Sequence, residues 1–387
     1  MNKNNNLAVV AYTNFSRDSR VQKETYAAYE SGYNLDIYTL KHNNLGPFKS
    51  YNFIDIDLEQ YRGTSQGKYL LSYFKFFFSC FFYLTKNYVK KRYKIVHFHN
   101  MPNFLVFSAI IPKLFGAKII LDIHDLMPEL FSVKFQKPVN HFIIKLFYFE
   151  ERISAKFANV VIATNSFHIN RFIKNGINKE KITEIVNVAD EKIFYAPSQN
   201  NIKNEELIIA YPSTLSKRLG IDNLLEAVEM LNNKGVKLKL NIYGDGDYRN
   251  EILEILKNKN LENVVKLSDS FVTLENLSSE LDKADVGIIP LPSDRSNDIA
   301  MPVKIYEFFA KKICVVASDL PLMTSCFNDS VIFFKAGDSE DLADKIEYLA
   351  ENKDVVKKFA ERGYKIFSSQ SWSYYKSKYQ NIIITSK

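Results

Sequence analysis

The sequence predicts an α/β protein of two Rossmann-like domains in series, each built on a parallel sheet. Three observations predict it. The chain has 387 residues, more than one hydrophobic core usually serves. Short apolar runs of strand length alternate with longer segments of helical length, the pattern of parallel strands joined by crossover helices. The alternation breaks at the polar run SQNNIKNEE, residues 198–206, and then starts afresh.

In the first half the strand Leu7–Tyr12 is followed by a helix from about Ser19 to Gly32 and a strand at Asn34–Leu40. A long apolar helix around Tyr69–Thr85 precedes the strand Ile95–Phe98. Phe104–Phe115 reads as a helix, Lys118–Ile123 as a strand, Asn140–Phe157 as a helix and Val160–Thr164 as a strand. A short helix to Gly176 and a strand at Thr183–Val186 close this half. The second half runs through strand Leu207–Tyr211, helix Ile221–Asn232, strand Val236–Tyr243, helix Tyr248–Lys257 and strand Val264–Leu267. Helix Leu274–Lys283, strand Val286–Ile289, helix Pro302–Lys311, strands Cys314–Ala317 and Val331–Phe334, and helices after Asp338 and Asp354 complete it. Residues 1–190 form the expected first domain, 191–206 a hinge or linker, 207–370 the second domain and 371–387 a C-terminal helix.

Composition narrows the class. Hydrophobic residues at 46% and charged residues at 25% are those of a globular chain and exclude wholesale disorder. A net charge of +7 is too mild for a nucleic-acid binder, but it suits anionic substrates or an anionic membrane surface. Cys80, Cys314 and Cys326 form no CxxC pair and no metal-ligand spacing, so neither a disulfide framework nor a zinc site is expected and a cytoplasmic location is. Met1–Asn6 is polar, and no secretory leader is expected. The run YLLSYFKFFFSCFFYLT, residues 69–85, is too short and too interrupted by Lys75 to span a bilayer. Two readings stay open for it: a helix buried on the sheet, or a helix lying on a membrane with Lys86, Lys90, Lys91 and Arg92 toward anionic headgroups.

Ligands of open α/β sheets bind beyond the carboxyl ends of the strands, so the loops leaving each strand hold the candidates. Three such loops in the second half precede helices, whose N-terminal N–H groups favour phosphate oxygens. One carries Ser213, Thr214, Lys217 and Arg218, the second Gly244-Asp245-Gly246, the third Ile299, Ala300 and Met301. Lys217 and Arg218 could neutralise a diphosphate. Lys304 and Glu307 share one helix face, where the lysine would meet phosphate and the carboxylate would accept from sugar hydroxyls. In the first half, His124-Asp125 at a strand end could orient a substrate or move a proton. His97, within a strand, reads as a hydrogen-bonded core histidine. Asp-x-Asp occurs at Asp55–Asp57 and Asp245–Asp247, and neither is read as a metal site.

These segments together resemble retaining glycosyltransferase family 4, the GT-B glycosyl transferases of group 1, over nearly the whole chain. The resemblance is carried by RDSRVQKETYAAYESGYNLDIYT, by YKIVHFHNMPNFLVFSAIIPKLFGAKIILDIHDLMPELF, and by EERISAKFANVVIATNSFH with EIVNVADEKIF. YPSTLSKRLGIDNLLEAV, LKLNIYGDGDYRNEI, ADVGIIPL, MPVKIYEFFAKKICVVASD and QSWSYYKSKYQNI continue it in order. It implies two Rossmann-like domains facing each other across a deep cleft, with the C-terminal helix crossing back to the first. It implies that Arg218, with Lys217, clamps the donor diphosphate, and that Glu307 holds the ribose beside Lys304. Gly244 and Gly246 would line the donor loop, backbone at Ile299–Met301 would meet phosphate or donor sugar, and His124 would sit by the transferred sugar. Arg17, Arg20, His99, Asn100 and Glu129, with Asp125, would face the acceptor.

The implied catalytic set is therefore His124, Glu307 and Arg218, acting with retention, no metal and no cofactor, on a nucleotide sugar and a saccharide or lipid-linked acceptor of surface polysaccharide synthesis. Three positions depart from the family's usual pattern: Ile299 stands where an acid is frequent, and Ser213 and Asp269 where glycines are common. A nucleotide-sugar epimerase and a non-catalytic sugar-nucleotide-binding partner are the alternatives.

Overall fold

Strands such as LAVVA, VVIA and CVVA have apolar side chains on both faces, so they are stable only where both faces are covered, inside a parallel sheet. The computed structural model describes residues 5–41, 51–59, 61, 65–196 and 206–384, and in it these strands do form all-parallel sheets. Most of the expected linker, 197–205, lies outside the described residues, as do Met1–Asn4 of the N-terminal segment.

The chain divides into two compact units, Met1–Asn187 with Tyr375–Lys387, and Val188–Tyr374. The first holds β1 (Asn6–Ala11), α1 (Ser19–Glu30), β2 (Asn34–Leu40), β3 (Asn52–Ile56), α2 (Gln66–Lys91), β4 (Ile95–His99) and α3 (Ile110–Leu114). It continues with β5 (Lys118–Ile123), α4 (Met127–Lys134), α5 (Phe142–Phe157), β6 (Val160–Ala163), α6 (Ser166–Lys174) and β7 (Ile182–Glu184). Its sheet runs β3-β2-β1-β4-β5-β6-β7. The order reverses between β1 and β4, and the loops leaving those two strands flank that switch point.

The second unit holds β8 (Leu207–Pro212), α7 (Ile221–Asn233), β9 (Leu238–Tyr243), α8 (Arg249–Asn258), β10 (Val265–Leu267), α9 (Leu274–Leu281) and β11 (Val286–Ile289). α10 (Val303–Ala310), β12 (Cys314–Ser318), α11 (Pro321–Phe327), β13 (Ile332–Phe334), α12 (Ser339–Glu351) and α13 (Lys353–Ser369) follow. Its sheet runs β10-β9-β8-β11-β12-β13, with the switch point between β8 and β11. Its core joins β8, β9, β11 and β12 to α7, α8 and α12 through Ile209, Leu240, Ile288, Val316, Leu224, Ile252 and Ile346.

Helix α14 (Trp372–Ile384) carries the chain back into the first unit. There Tyr379 is fully buried with its hydroxyl 3.0 Å from His97 Nδ1. Tyr33 and Lys118 donate to the carbonyls of Ile383 and Ile382, each at 2.7 Å. These anchors are invisible in local sequence because both partners of each lie more than 260 positions apart.

Strand β3 and helices α4 and α11 were not among the expected elements, and two expected elements differ in form. Phe104–Phe115 is not one α-helix: Asn103–Ala109 is a 3-10 helix and only Ile110–Leu114 is α. Pro112 has no N–H to give the carbonyl of residue 108, so α hydrogen bonding cannot extend upstream through it. The apolar helix is also longer than the run that announced it, 26 residues, because the flanking lysines are good helix formers and continue it. Among the described residues no helix is long and apolar enough to cross a membrane.

Candidate active site

In the second unit the three candidate loops converge at the switch point, and glycine is what lets them. Past the ends of β8 and β9 the backbone pairing continues: Ser213 N–H donates to Tyr243 O at 2.8 Å, Leu215 N–H to Asp245 O at 3.0 Å and Tyr248 N–H to Leu215 O at 3.1 Å. A Cβ on Gly244 would stand 1.8 Å from Ser213 O, and one on Gly246 2.1 Å from Leu215 O. The two glycines thus act by letting the β8 and β9 loops touch, a closer constraint than lining a ligand. The third loop is drawn in by Gly220, whose φ of +79° opens α7 and whose added Cβ would fall 1.7 Å from Pro290 O.

The loops after β8 and β11 line an open cavity of about 170 Å³ whose walls include Tyr211, Ser213, Asn297, Ala300, Met301 and Lys304. The loop after β11 is held in shape by Asp294, which accepts from the backbone N–H groups of Ser296 and Asn297, both at 2.8 Å. Asn297 in turn donates to Pro292 O at 3.0 Å. Tyr211, Asp294 and Asn297 are site residues that sequence reading passed over. The Asp-x-x-Asn spacing, a common turn signature, was the available signal for the last two.

Lys304 points its ammonium at this cavity and donates to Ser213 Oγ at 2.7 Å. Burial lowers its pKa from 10.5 to about 8, with Arg218 adding to the fall and Glu307 opposing it. A cation depressed in this way is short of negative charge around it, which makes the site receptive to an anion. Glu307 is buried one turn further along α10. Lys217 and Arg218 are exposed in the 3-10 turn Lys217–Leu219, the former 4.0 Å from Asp222. Thr214 is exposed, and Ile299 and Ala300 close the 3-10 turn before α10.

In the first unit the centre is a residue the sequence reading did not select, Asp122 on β5. It is fully buried and takes both prongs of the Arg20 guanidinium, at 2.6 and 3.0 Å. His99 Nδ1 lies 3.2 Å and His124 Nδ1 3.5 Å from its Oδ2. Burial alone would raise Asp122, but the Arg20 cation and His124 hold its carboxyl well below the ordinary range. Burial works against a charge on His124 too, yet Asp122 more than offsets it and lifts the imidazole to about 9. His124 is therefore a cationic hydrogen-bond donor at neutral pH and not the proton-accepting base that an ordinary histidine titration would allow.

Behind them Glu24 sits fully buried, 3.5 Å from His97 Nε2 and 3.3 Å from Arg20. Burial raises the pKa of Glu24 and lowers that of His97. One atom each of Glu24, His97, His99 and Asp122 falls within 4.8 Å of the others. Arg20 supplies the cation that Asp122 answers, so these side chains form an ion-pair network around it.

The expected acceptor residues divide. Arg17 and Asp125 are exposed, and His124, expected beside the transferred sugar, is partly so. Arg20 and His99, expected to face the acceptor, are 3% and 1% exposed and tied into the Asp122 network. Glu129 is likewise committed, paired with both Nε and Nη2 of Arg171 at 2.8 and 2.9 Å. Asn100 is buried and works on the backbone: its Oδ1 accepts from the N–H groups of His124 and Asp125, both at 3.1 Å, tying the β4 loop to the β5 loop.

Comparison with known proteins follows the same division. Residues 27–192 match the family Glycosyltransferase Family 4, and residues 194–366 match Glycosyl transferases group 1. A chitobiosyldiphosphodolichol beta-mannosyltransferase of Candida albicans is 24% identical over 56% of this chain, which spans 50% of that enzyme's length. The sucrose-phosphate synthase of Thermosynechococcus elongatus aligns over 98% of both chains with a TM-score of 0.77 at 16% identity. Alr3699/HepE of Anabaena, solved in complex with UDP, aligns over 98% of this chain and 100% of its own with a TM-score of 0.69 at 15% identity. At such identities the structural likenesses speak for the fold, and the family matches for the class of chemistry. With both domains of the family matched in order, the chain belongs to the family 4 and group 1 glycosyltransferases and has the GT-B fold.

Proposed function

We propose that this glycosyltransferase moves a hexose from a nucleoside diphosphate sugar to a saccharide or lipid-linked acceptor of a surface polysaccharide or glycoconjugate, with retention at the anomeric carbon and without a metal at the diphosphate. The observation that carries the reading is Lys304, a partly buried cation with its pKa lowered to about 8, aimed into a cavity at the switch point of the second sheet. A diphosphate there would restore the negative charge that Lys304 lacks, and Arg218 at the rim would meet it from solvent. Glu307 would take the ribose hydroxyls, Ser213, Thr214 and Lys217 would contact phosphate, and Ile299–Met301 would offer backbone groups to phosphate or sugar.

In the reaction the bond from the anomeric carbon to the diphosphate oxygen breaks, a bond to the acceptor oxygen forms, and the acceptor's hydroxyl proton leaves with the diphosphate. The charge that builds on the leaving group is stabilised by Arg218 and Lys304. His124, cationic at neutral pH, would donate a hydrogen bond to the transferred sugar, and Arg17 and Asp125 would contact the acceptor. UDP in the Alr3699/HepE complex makes uridine the first base to try. The enzyme would work in the cytoplasm, as a peripheral protein of the inner membrane face when its acceptor is lipid-linked.

The test is titration calorimetry with UDP, GDP and ADP, with and without EDTA, on the protein and on Arg218→Ala and Glu307→Ala. Binding of one nucleotide, unchanged by EDTA and weakened in both variants, is the expected outcome. No binding of any of them would overturn the donor site. NMR of the product then reads the anomeric configuration, and an inverted linkage would overturn retention.

A further inference from the structure

Helix α2 is apolar on two opposite sides. Tyr73, Phe76, Cys80, Leu84 and Tyr88 recur at helical spacing and are buried against the sheet. Leu71, Phe74, Phe78, Phe82 and Val89 recur at the same spacing on the other side, and there Phe78, Phe82 and Val89 are 64%, 60% and 68% exposed. Core packing accounts for the first stripe and leaves the second unexplained. An exposed run of large apolar side chains of this length marks an interaction surface.

The stripe has neighbours. The connections β3 to β4, β4 to β5 and β5 to β6 all step in one direction along the parallel sheet. Right-handed crossovers therefore place α2, α3 and α5 on the same side of it. Phe104, between α2 and α3, stacks on Phe74, and Phe107 packs on Phe157 of α5, so the three helices adjoin. Their outer faces add Leu114 at the end of α3 and Phe115 after it, and Phe142, 78% exposed, with Leu146 and Phe149 on α5.

Charge says what covers this face. Residues 60–121 contain ten lysines and arginines and no aspartate or glutamate. On α2, Lys91 is tied to Asp36, while Lys75, Lys86 and Lys90, and Arg92 just past the helix, are exposed. A protein partner of ordinary surface composition would not require so one-sided a set. A bilayer with anionic headgroups does, because it offers hydrocarbon for the aromatic rings and negative charge for the lysines flanking them.

We propose that the outer face of α2, α3 and α5 is a docking surface for an anionic lipid bilayer, with the Phe78 and Phe82 rings inserted at the interface and Lys75, Lys86, Lys90 and Arg92 at the headgroups. The proposal rests on the reading of a transferase with a lipid-linked acceptor and supplies the surface that would hold it at the membrane.

The full chain is floated with vesicles of phosphatidylcholine alone and of phosphatidylcholine containing phosphatidylglycerol, while UDP binding is measured on the same sample. Flotation with the anionic vesicles alone is expected, falling with added salt. Phe78→Ser with Phe82→Ser is expected to lower the bound fraction at least tenfold, and Lys86→Glu with Lys90→Glu roughly fivefold per charge. All four residues are exposed, so circular dichroism and UDP affinity should match the parent protein. Failure to float with UDP binding intact overturns the docking surface and leaves the transferase reading standing. A dimer by light scattering that Phe78→Ser with Phe82→Ser dissolves, without flotation, assigns the stripe to a second copy of the chain and overturns it equally. Flotation unaffected by these substitutions places lipid contact elsewhere and refutes the assignment.

Discussion

Lys304→Met should make the protein more stable and a poorer binder at once. The wild-type ammonium is held against burial, and a fall in pKa from 10.5 to about 8 corresponds to roughly 3 kcal/mol against the charged form. Since the folded value lies below the unfolded one, the unfolded state binds more protons between about pH 8 and 10.5. The penalty is therefore fully present below pH 8 and is relieved as the pH rises toward 10.5. Methionine removes the charge, giving up the hydrogen bond to Ser213 Oγ and the approach of the ammonium to 5.7 Å from the Tyr211 ring centroid, so a net gain of about 1–2 kcal/mol at pH 7 is expected. Differential scanning calorimetry should show it as a rise of a few degrees in Tm.

The same variant should lose a charge-assisted hydrogen bond to a diphosphate, roughly 1.5–3 kcal/mol, or about ten- to a hundredfold in Kd for UDP. In the parent protein, bound diphosphate should raise the Lys304 pKa, so UDP affinity should fall as pH rises above about 8. Calorimetry in buffers of different ionisation enthalpy should then register proton uptake on binding. A variant that binds UDP as tightly as the parent, or that melts lower at pH 7, would refute the reasoning that Lys304 is a strained cation kept for an anion.

Asp122→Asn should drop His124 from about 9 to below the ordinary value near 6.5, since the burial that opposes its charge stays when the carboxylate goes; imidazole shifts in an NMR pH titration read this directly. Arg20→Ala should cost about 3–5 kcal/mol in urea unfolding by leaving Asp122 buried without its guanidinium, far more than an exposed charge is worth. Gly244→Ala and Gly246→Ala should each abolish UDP binding and lower Tm by several degrees, because the atoms a new Cβ would meet are backbone carbonyls that cannot turn aside. Arg218→Ala, at an exposed site, should leave Tm within a degree or two while weakening UDP about tenfold, and unchanged affinity would remove Arg218 from the donor site.

What the sequence determined by itself was what local pattern can encode. The doubly apolar strands fixed the parallel sheets, and the loops after β8, β9 and β11 were legible as neighbouring loops because each follows a strand and precedes a helix. Lys304 and Glu307 were legible as a pair because both lie on one turn of α10. The tertiary structure alone decided which polar residues stay available. Arg20, His99 and Glu129 look like surface ligands in a loop-and-helix pattern, yet Arg20 and His99 are committed to Asp122 and Glu129 to Arg171, partners between 23 and 102 positions away. Asp122 itself was hidden inside an ordinary strand run, KIILDI, whose one carboxylate gains meaning only from Arg20 on a helix packed over it. Likewise the apolar run on α2 announced a helix but not its two faces. Burial is a property of what the other elements cover, and no periodicity within one helix states which of its stripes the rest of the fold leaves open.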